Sequence, residues 1–288
     1  MTRTILEGSI TRRSALRGGV ACALASVVPY KLFGNTIIQD ASWGSTIPLQ
    51  AELYIFKGAM QGLTAIALTW PEETGRDCTV RIHAGTRTWE FSVSARGGSQ
   101  SHDHGDCSVF IGNVVAAVNP DGRVMKALVM EVDARGIDQH GSSVIWAERM
   151  VRDSRQRIGT PFLSDIMRDH EDLVHLYHAS SPDQDATVLL QPLSAAIAGR
   201  LRVAGSTANP DSHGRRLAYA LLPDVLHYDP RRPAGFTFAA QNGRHPAEST
   251  DEVVRTILNG GKPTGSVPAS PHSSVQTFPY FEQLTTAV

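Results

Sequence analysis

The chain has 288 residues, 41% hydrophobic and 19% charged, with a formal net charge of −1. That apolar content supports a packed core and excludes disorder throughout, and a near-neutral balance without a basic run argues against nucleic acid as a partner. With 25 glycines and 16 prolines, turns are frequent, which favours a strand-rich fold.

Residues 1–34 read as an export signal and linker, and 35–288 as a single β-rich domain. Thr11-Arg12-Arg13-Ser14 precedes an uncharged, weakly apolar run from Gly18 to Val28. Paired arginines before a short apolar core are the pattern of twin-arginine export, and the run is too short to span a bilayer. Ala15 departs from the pattern, which usually has Phe there. Cleavage after Ala25 lowers Lys plus Arg from 27 to 23 and Asp plus Glu from 28 to 27, moving the charge from −1 to −4. The expected mature protein is periplasmic or extracellular, folded before translocation. It has no transmembrane segment and no attraction to anionic membranes. Cys22 leaves with the signal, so Cys78 and Cys107 remain, either as a disulfide or as two buried thiols.

Strand signals then crowd the chain. Glu52 to Phe56 is short and apolar, and Thr64 to Trp70 alternates with Ile66, Leu68 and Trp70 on one face. Thr79 to His83 and Thr88 to Ser94 alternate around the turn Ala84 to Arg87, predicting a hairpin with one wet face. Arg96 to Asp106 reads as a polar loop. Cys107 to Val118, Val124 to Val132 and Gly141 to Trp146 are further strands, with a turn at Asn119-Pro120-Asp121-Gly122. Helical spacing predicts a helix over Phe162 to His178. Thr187 to Leu190, Leu201 to Val203 and Leu217 to Leu222 are taken as short strands, and Ser206 to Arg216 as a loop. Ser249 with Glu252 is a capping box for a second helix over Thr250 to Asn259, stopped by Gly260-Gly261 before a loop to Ser274. The sum is a mainly β protein, an antiparallel β-sandwich-like fold with a few peripheral helices.

Two histidine clusters could hold a divalent metal. In an extended chain His102, His104 and Asp106 project to one side, offering two imidazoles and a carboxylate. His175 and His178 stand at i, i+3 and could chelate, whereas His170 falls in the apolar stripe and is expected in the core. No nucleophile elbow, phosphate loop or dinucleotide fingerprint is present.

The densest pattern lies near the C-terminus. Leu222-Pro223-Asp224-Val225-Leu226, Asp229-Pro230, Pro233-Ala234-Gly235-Phe236, Asn242-Gly243-Arg244, Asp251-Glu252-Val253-Val254 and Thr277-Phe278-Pro279-Tyr280 follow in order. Lys126 to Val132, Val144 to Ala147 and Gln156 to Pro161 extend it, and Glu52 to Trp70 matches more loosely. Together these residues resemble the bacterial exported family known as domain of unknown function 4331. The resemblance implies an exported β-rich protein and supplies no substrate or catalytic residue. A Ser-His-Arg-Glu-Ala-Pro-like opening found in that family has no counterpart in Ile37 to Pro48.

Two functions follow. The first is an exported protein binding a small molecule or an envelope protein on a β scaffold, with Asp224, Asn242, Arg244 and Asp251 as contact residues. Their structural alternative has Asp224 capping a turn, Asn242-Gly243 forming one and Asp251 favouring a helix N-terminus, with Arg244 pairing with either carboxylate. The second is a metal-assisted enzyme acting on a small molecule or secreted metabolite through His102, His104 and Asp106, or through His175 and His178.

Overall fold

The structure is a computed structural model. It describes residues 51–71, 76–95, 100–115, 124–133, 137, 143–160, 163, 166–167, 169–236, 241–248, 253, 256 and 275–282, without the side chains of 102–104, 115 and 124. Residues 1–34, expected to be an export signal and linker, the turn expected at 119–122, Asp251 and the loop expected at 260–274 lie outside the described residues.

Strand β1 (Glu52–Lys57), β2 (Leu63–Pro71), β5 (Gln100–His104), β6 (Cys107–Val115) and β7 (Val124–Asp133) form one antiparallel sheet in the order β1-β2-β7-β6-β5. A second is built from β3 (Cys78–Ala84), β4 (Arg87–Val93), β8 (Ser143–Val151), β9 (Ser154–Ile158) and β10 (Leu226–Tyr228). Its order is β10-β8-β3-β4, with β9 also pairing with β8. Strands β11 (Gly235–Phe236) and β12 (Gln241–Asn242) make a two-stranded sheet. The fold is thus mainly β and antiparallel. Half of the loop expected over 96–106 is strand: polar Gln100–His104 is β5, an edge strand pairing only with β6, where side chains need not be apolar.

The two sheets bury one shared core. Leu53, Ile55, Ile66, Leu68 and Leu128 from the first sheet join Val80, Ile82, Trp89, Phe91 and Ile145 from the second in a single apolar cluster. The hairpin β3–β4 keeps its predicted alternation, with Val80, Ile82, Trp89 and Phe91 inward and Glu90 exposed. Strand β2 differs: every residue from Thr64 to Trp70 is buried. Its second face, with Ala65 and Ala67, joins Tyr54, Phe56, Phe110, Val129, Tyr280 and Phe281 in a second cluster. A strand covered on both sides loses the alternation that marks a half-wet one.

Helices α1 (Glu171–Ala179), α2 (Asp185–Val188), α3 (Leu190–Ala204) and α4 (Pro210–Leu221) complete the described fold. The single helix expected over 162–178 is interrupted: Leu163, Ile166 and Met167 are helical and buried, but Asp169 and His170 are not helical. His170 is exposed just before α1, and not in the core. The short strands expected at 187–190, 201–203 and 217–222 belong to helical segments, and most of the loop expected at 206–216 is the start of α4. Leu190, Leu193, Ile197 and Leu201 recur at helical spacing and are buried on one side of α3. Gly205 ends α3 in the left-handed conformation, and Asn209 caps α4 by accepting from Ser212 N–H at 3.2 Å, with Pro210 in the first turn. Val253 and Thr256 are helical and buried; the rest of the helix expected at 250–259 lies outside the described residues. No helix among the described residues is long and apolar enough to cross a membrane.

Candidate functional site

Asp224 lies in a fully buried polar joint between β9, α1, α2 and the segment before β10. Arg157 Nη1 and Nη2 donate to the two Asp185 oxygens at 2.6 Å each, and Nη2 also reaches Asp224 O at 3.3 Å. Asp224 N–H returns to Asp185 Oδ2 at 2.7 Å. The Asp224 carboxylate accepts from Thr160 N–H at 2.7 Å and from the Thr160 and Tyr177 hydroxyls. Burial pushes the Asp224 carboxyl up, while Arg157 and these donors pull it down. Burial also pushes the Tyr177 phenol well up. Gly159 makes the joint sterically feasible: a Cβ there would sit 2.3 Å from Asp224 Oδ2.

Arg244 and Asn242 belong to other places. Arg244 is fully buried and pairs with Glu52 at 3.3 Å, where the sequence offered Asp224 or Asp251. Its guanidinium carbon lies 4.4 Å from the Tyr54 ring centre, and the Tyr54 hydroxyl donates to Glu52. The partner was missed because Glu52 is 192 residues away and becomes a neighbour only when Arg244 bridges to Ile55 beside β1. Gly243, at φ +70°, allows that approach, since a Cβ would meet Ile55 O at 2.2 Å. Asn242 accepts from Asp229 N–H at 2.7 Å and donates to Asp229, Arg232 and Pro233 carbonyls at 2.9–3.1 Å. It ties down the turn after β10. A third joint holds the C-terminal motif: the Tyr280 hydroxyl donates to Glu131 and accepts from Ala59 N–H at 2.5 Å.

The predicted metal ligands are scattered in role. His102 and His104 are in β5, paired with Val109 and Cys107, and their side chains lie outside the described residues. Asp106 follows in the next turn, ion-paired with Arg87 and accepting from Trp89 Nε1 at 3.4 Å. His178 Nδ1 accepts from Arg157 N–H at 3.1 Å, whereas His175 is exposed, 3.6 Å from Glu171. No group of three His, Cys, Asp or Glu able to hold a metal occurs among the described residues. Cys78 and Cys107 are buried, begin strands of opposite sheets and are joined by no disulfide.

Among the described residues, two polar regions could meet a ligand. On the outer face of the second sheet His83 stacks on Trp146, with centroids 4.0 Å apart and planes 9° apart. Arg157 lies 6.0 Å from the same indole centre. Glu148 beneath them is held at about 2, first by His83 Nε2 at 3.6 Å and then by Arg155 at 2.7 Å. The His83 separation is too long for a hydrogen bond. The second region is a small cleft, open to solvent on one side, with about 20 Å³ of enclosed space at one end of the sandwich. It is lined by Trp70, Arg76, Cys78, Lys126 and Arg149, with Val93 to Ala95 and Val151 completing the wall.

No family model, curated protein or solved structure matches this chain. Stretches far apart in the chain meet in space: Arg157 to Thr160 with Asp224, Glu52 and Tyr54 with Arg244, and Glu131 with Tyr280. Of the four predicted contact residues, Asp224, Asn242 and Arg244 are buried in joints of the scaffold, and Asp251 lies outside the described residues. The cleft was not found from sequence. Lys126 and Arg149 each stand at a strand position whose neighbours two residues away, Leu128 and Ala147, face the core, which is the signal that could have found them.

Proposed function

We propose that this is an exported ligand-binding protein on a β-sandwich scaffold, with a small molecule entering at the end of the sandwich beside Trp70. The cleft carries the reading: it opens to solvent and combines an indole, a hydroxyl and three cationic side chains in or beside the ends of β2, β3, β4, β7 and β8. Four carboxylates among the described residues are already engaged by neighbours. Asp185 is held by Arg157, Glu148 by Arg155, Asp106 by Arg87, and Asp224 by Thr160 and Tyr177. The paired arginines Arg12-Arg13 and the resemblance to an exported family support export. The metal-assisted alternative loses support where Asp106 already serves Arg87 and Trp89.

Binding is tested by a thermal-shift screen of small molecules on the mature protein and on Ser94→Trp, which fills the cleft from an exposed position. Stabilising compounds are expected to lose their effect in the variant. Compounds that stabilise both proteins equally would place the site elsewhere. Export is tested by fractionating cells carrying Arg12→Lys/Arg13→Lys. The expected result is loss of the exported form, and unchanged distribution between compartments would reject twin-arginine export.

A further inference from the structure

We propose that Thr88, His83 and Glu148, on the outer face of the second sheet, form a nucleophilic site that transfers the acyl group of small esters to water. The site is separate from the cleft, and the inference does not rest on the ligand-binding reading.

Register brings the three residues together. His83 of β3 is opposite Thr88 of β4 on one side and Trp146 of β8 on the other, and Glu148 stands two residues beyond Trp146 on the same face. Gly85 N–H donates to Val144 O of β8 at 3.0 Å, so alternation along β3 turns the backbone groups of Ala84 toward β4 and those of His83 toward β8. Ala84–Arg87 is then the hydrogen-bonded pair that closes the hairpin. His83–Thr88 is the non-hydrogen-bonded pair after it, in which side chains stand closer. His83 Nδ1 and Thr88 Oγ1 are accordingly 3.0 Å apart. The stack on Trp146 holds the imidazole plane in place.

Glu148 sets the polarity of this pair. Its carboxyl is held at about 2 by His83 and Arg155, so it is an anion at neutral pH, 3.6 Å from His83 Nε2. Nε2 is buried and makes no hydrogen bond, which leaves the facing anion to decide where the imidazole proton resides. The anion favours the proton on Nε2, and the Nδ1 lone pair is left to accept from the Thr88 hydroxyl. Glu90, on the same face, is paired with Arg81 at 2.6 Å and does not compete for His83. Hydroxyl, base and orienting carboxylate thus stand in the order that nucleophilic catalysis uses.

Thr88 is exposed, and among the described residues β4 pairs only with β3. Its backbone N–H therefore points to the open edge of the sheet, beside Oγ1, as a donor for the oxygen of a carbonyl under attack. Thr88 Oγ1 adds to the ester carbonyl carbon while its proton passes to His83 Nδ1. The tetrahedral intermediate expels the alcohol, which takes that proton, and the acyl group remains on Thr88. Water then adds to the acyl carbon with His83 again taking a proton. The carboxylic acid leaves as that proton returns to Thr88.

The test is hydrolysis of p-nitrophenyl acetate by the purified full-length protein, with mass spectrometry of samples quenched in acid during turnover. Release of nitrophenolate and an acetyl group on the peptide containing Thr88 are expected. Thr88→Ala should abolish both, and Thr88→Ser should restore them. His83→Gln should slow acylation about a hundredfold, as loss of a general base does. Glu148 is a positioning residue: Glu148→Gln should shift the pH–rate profile to lower pH, because the imidazolium loses the anion facing it, and a merely structural role would leave that profile in place. Because Thr88 is exposed, its variants keep the readout valid even where Glu148→Gln perturbs folding. Acetylation confined to other residues would overturn the inference, as would turnover that Thr88→Ala or a folded His83→Gln leaves unchanged.

Discussion

Arg157 has no exposed side-chain surface, and its charge is tolerated because Asp185, equally buried, meets it with two parallel hydrogen bonds. Taking two ions out of water costs several kcal/mol each, and the pair recovers this only while both members are present. Arg157→Met is therefore expected to lower stability by about 3–5 kcal/mol in urea denaturation, since Asp185 is left buried and unpaired. Arg157→Met/Asp185→Leu should recover most of that loss. A double variant as unstable as the single one would show that Asp224, Thr160 and Tyr177 need the arginine for their own geometry. Arg157 stood in the sequence only within the Gln156 to Pro161 stretch, with no role assigned, and its partners were not legible: Asp185 and Asp224 are 28 and 67 residues away.

At the scale of elements, α1 is fastened to β9 through the side chains of Arg155 and His178. Arg155 Nη1 donates to the carbonyls of His178, Ala179 and Ser180 at 3.2 Å, satisfying the end of the helix, and His178 Nδ1 accepts from Arg157 N–H. Burial, reinforced by the charges of His175, Arg157 and Arg155, lowers His178 from 6.5 to about 4. The fold thus selects the neutral ring, and its contribution is complete above pH 6.5 and lost as pH falls toward 4. Glu148, lowered from 4.5 to about 2, contributes above pH 4.5 and loses its contribution as pH falls toward 2. Urea midpoints are expected to fall in two successive ranges on acidification, and His178→Gln should remove the upper one. An upper range that persists in this variant would reject the assignment. The hairpin β3–β4 was legible because one face is wet. Helices α3 and α4 were misread because short apolar runs were taken as strands, although Asn209-Pro210 marks the start of α4.

For the whole molecule, distant joints hold one scaffold, and the C-terminal motif closes the second apolar face of the first sheet. Tyr280 stacks edge-on to Phe56 with centroids 5.0 Å apart and ties Glu131 to Ala59 through its hydroxyl. Tyr280→Phe is expected to cost about 1–3 kcal/mol by leaving polar groups without a partner. Tyr280→Ala should cost about 3–5 kcal/mol, because the ring's packing is lost as well. Equal melting losses for the two would mean that the ring contributes nothing. By itself the sequence determined the mainly β class and the hairpin, because alternation and turn chemistry act over a few residues. Only the tertiary structure decided that Asp224 and Arg244 sit in separate buried joints and that Lys126, Arg149 and Arg76 line one cleft. Those neighbours come from sheet register and sandwich packing, which join residues too far apart in the chain for any local pattern to record.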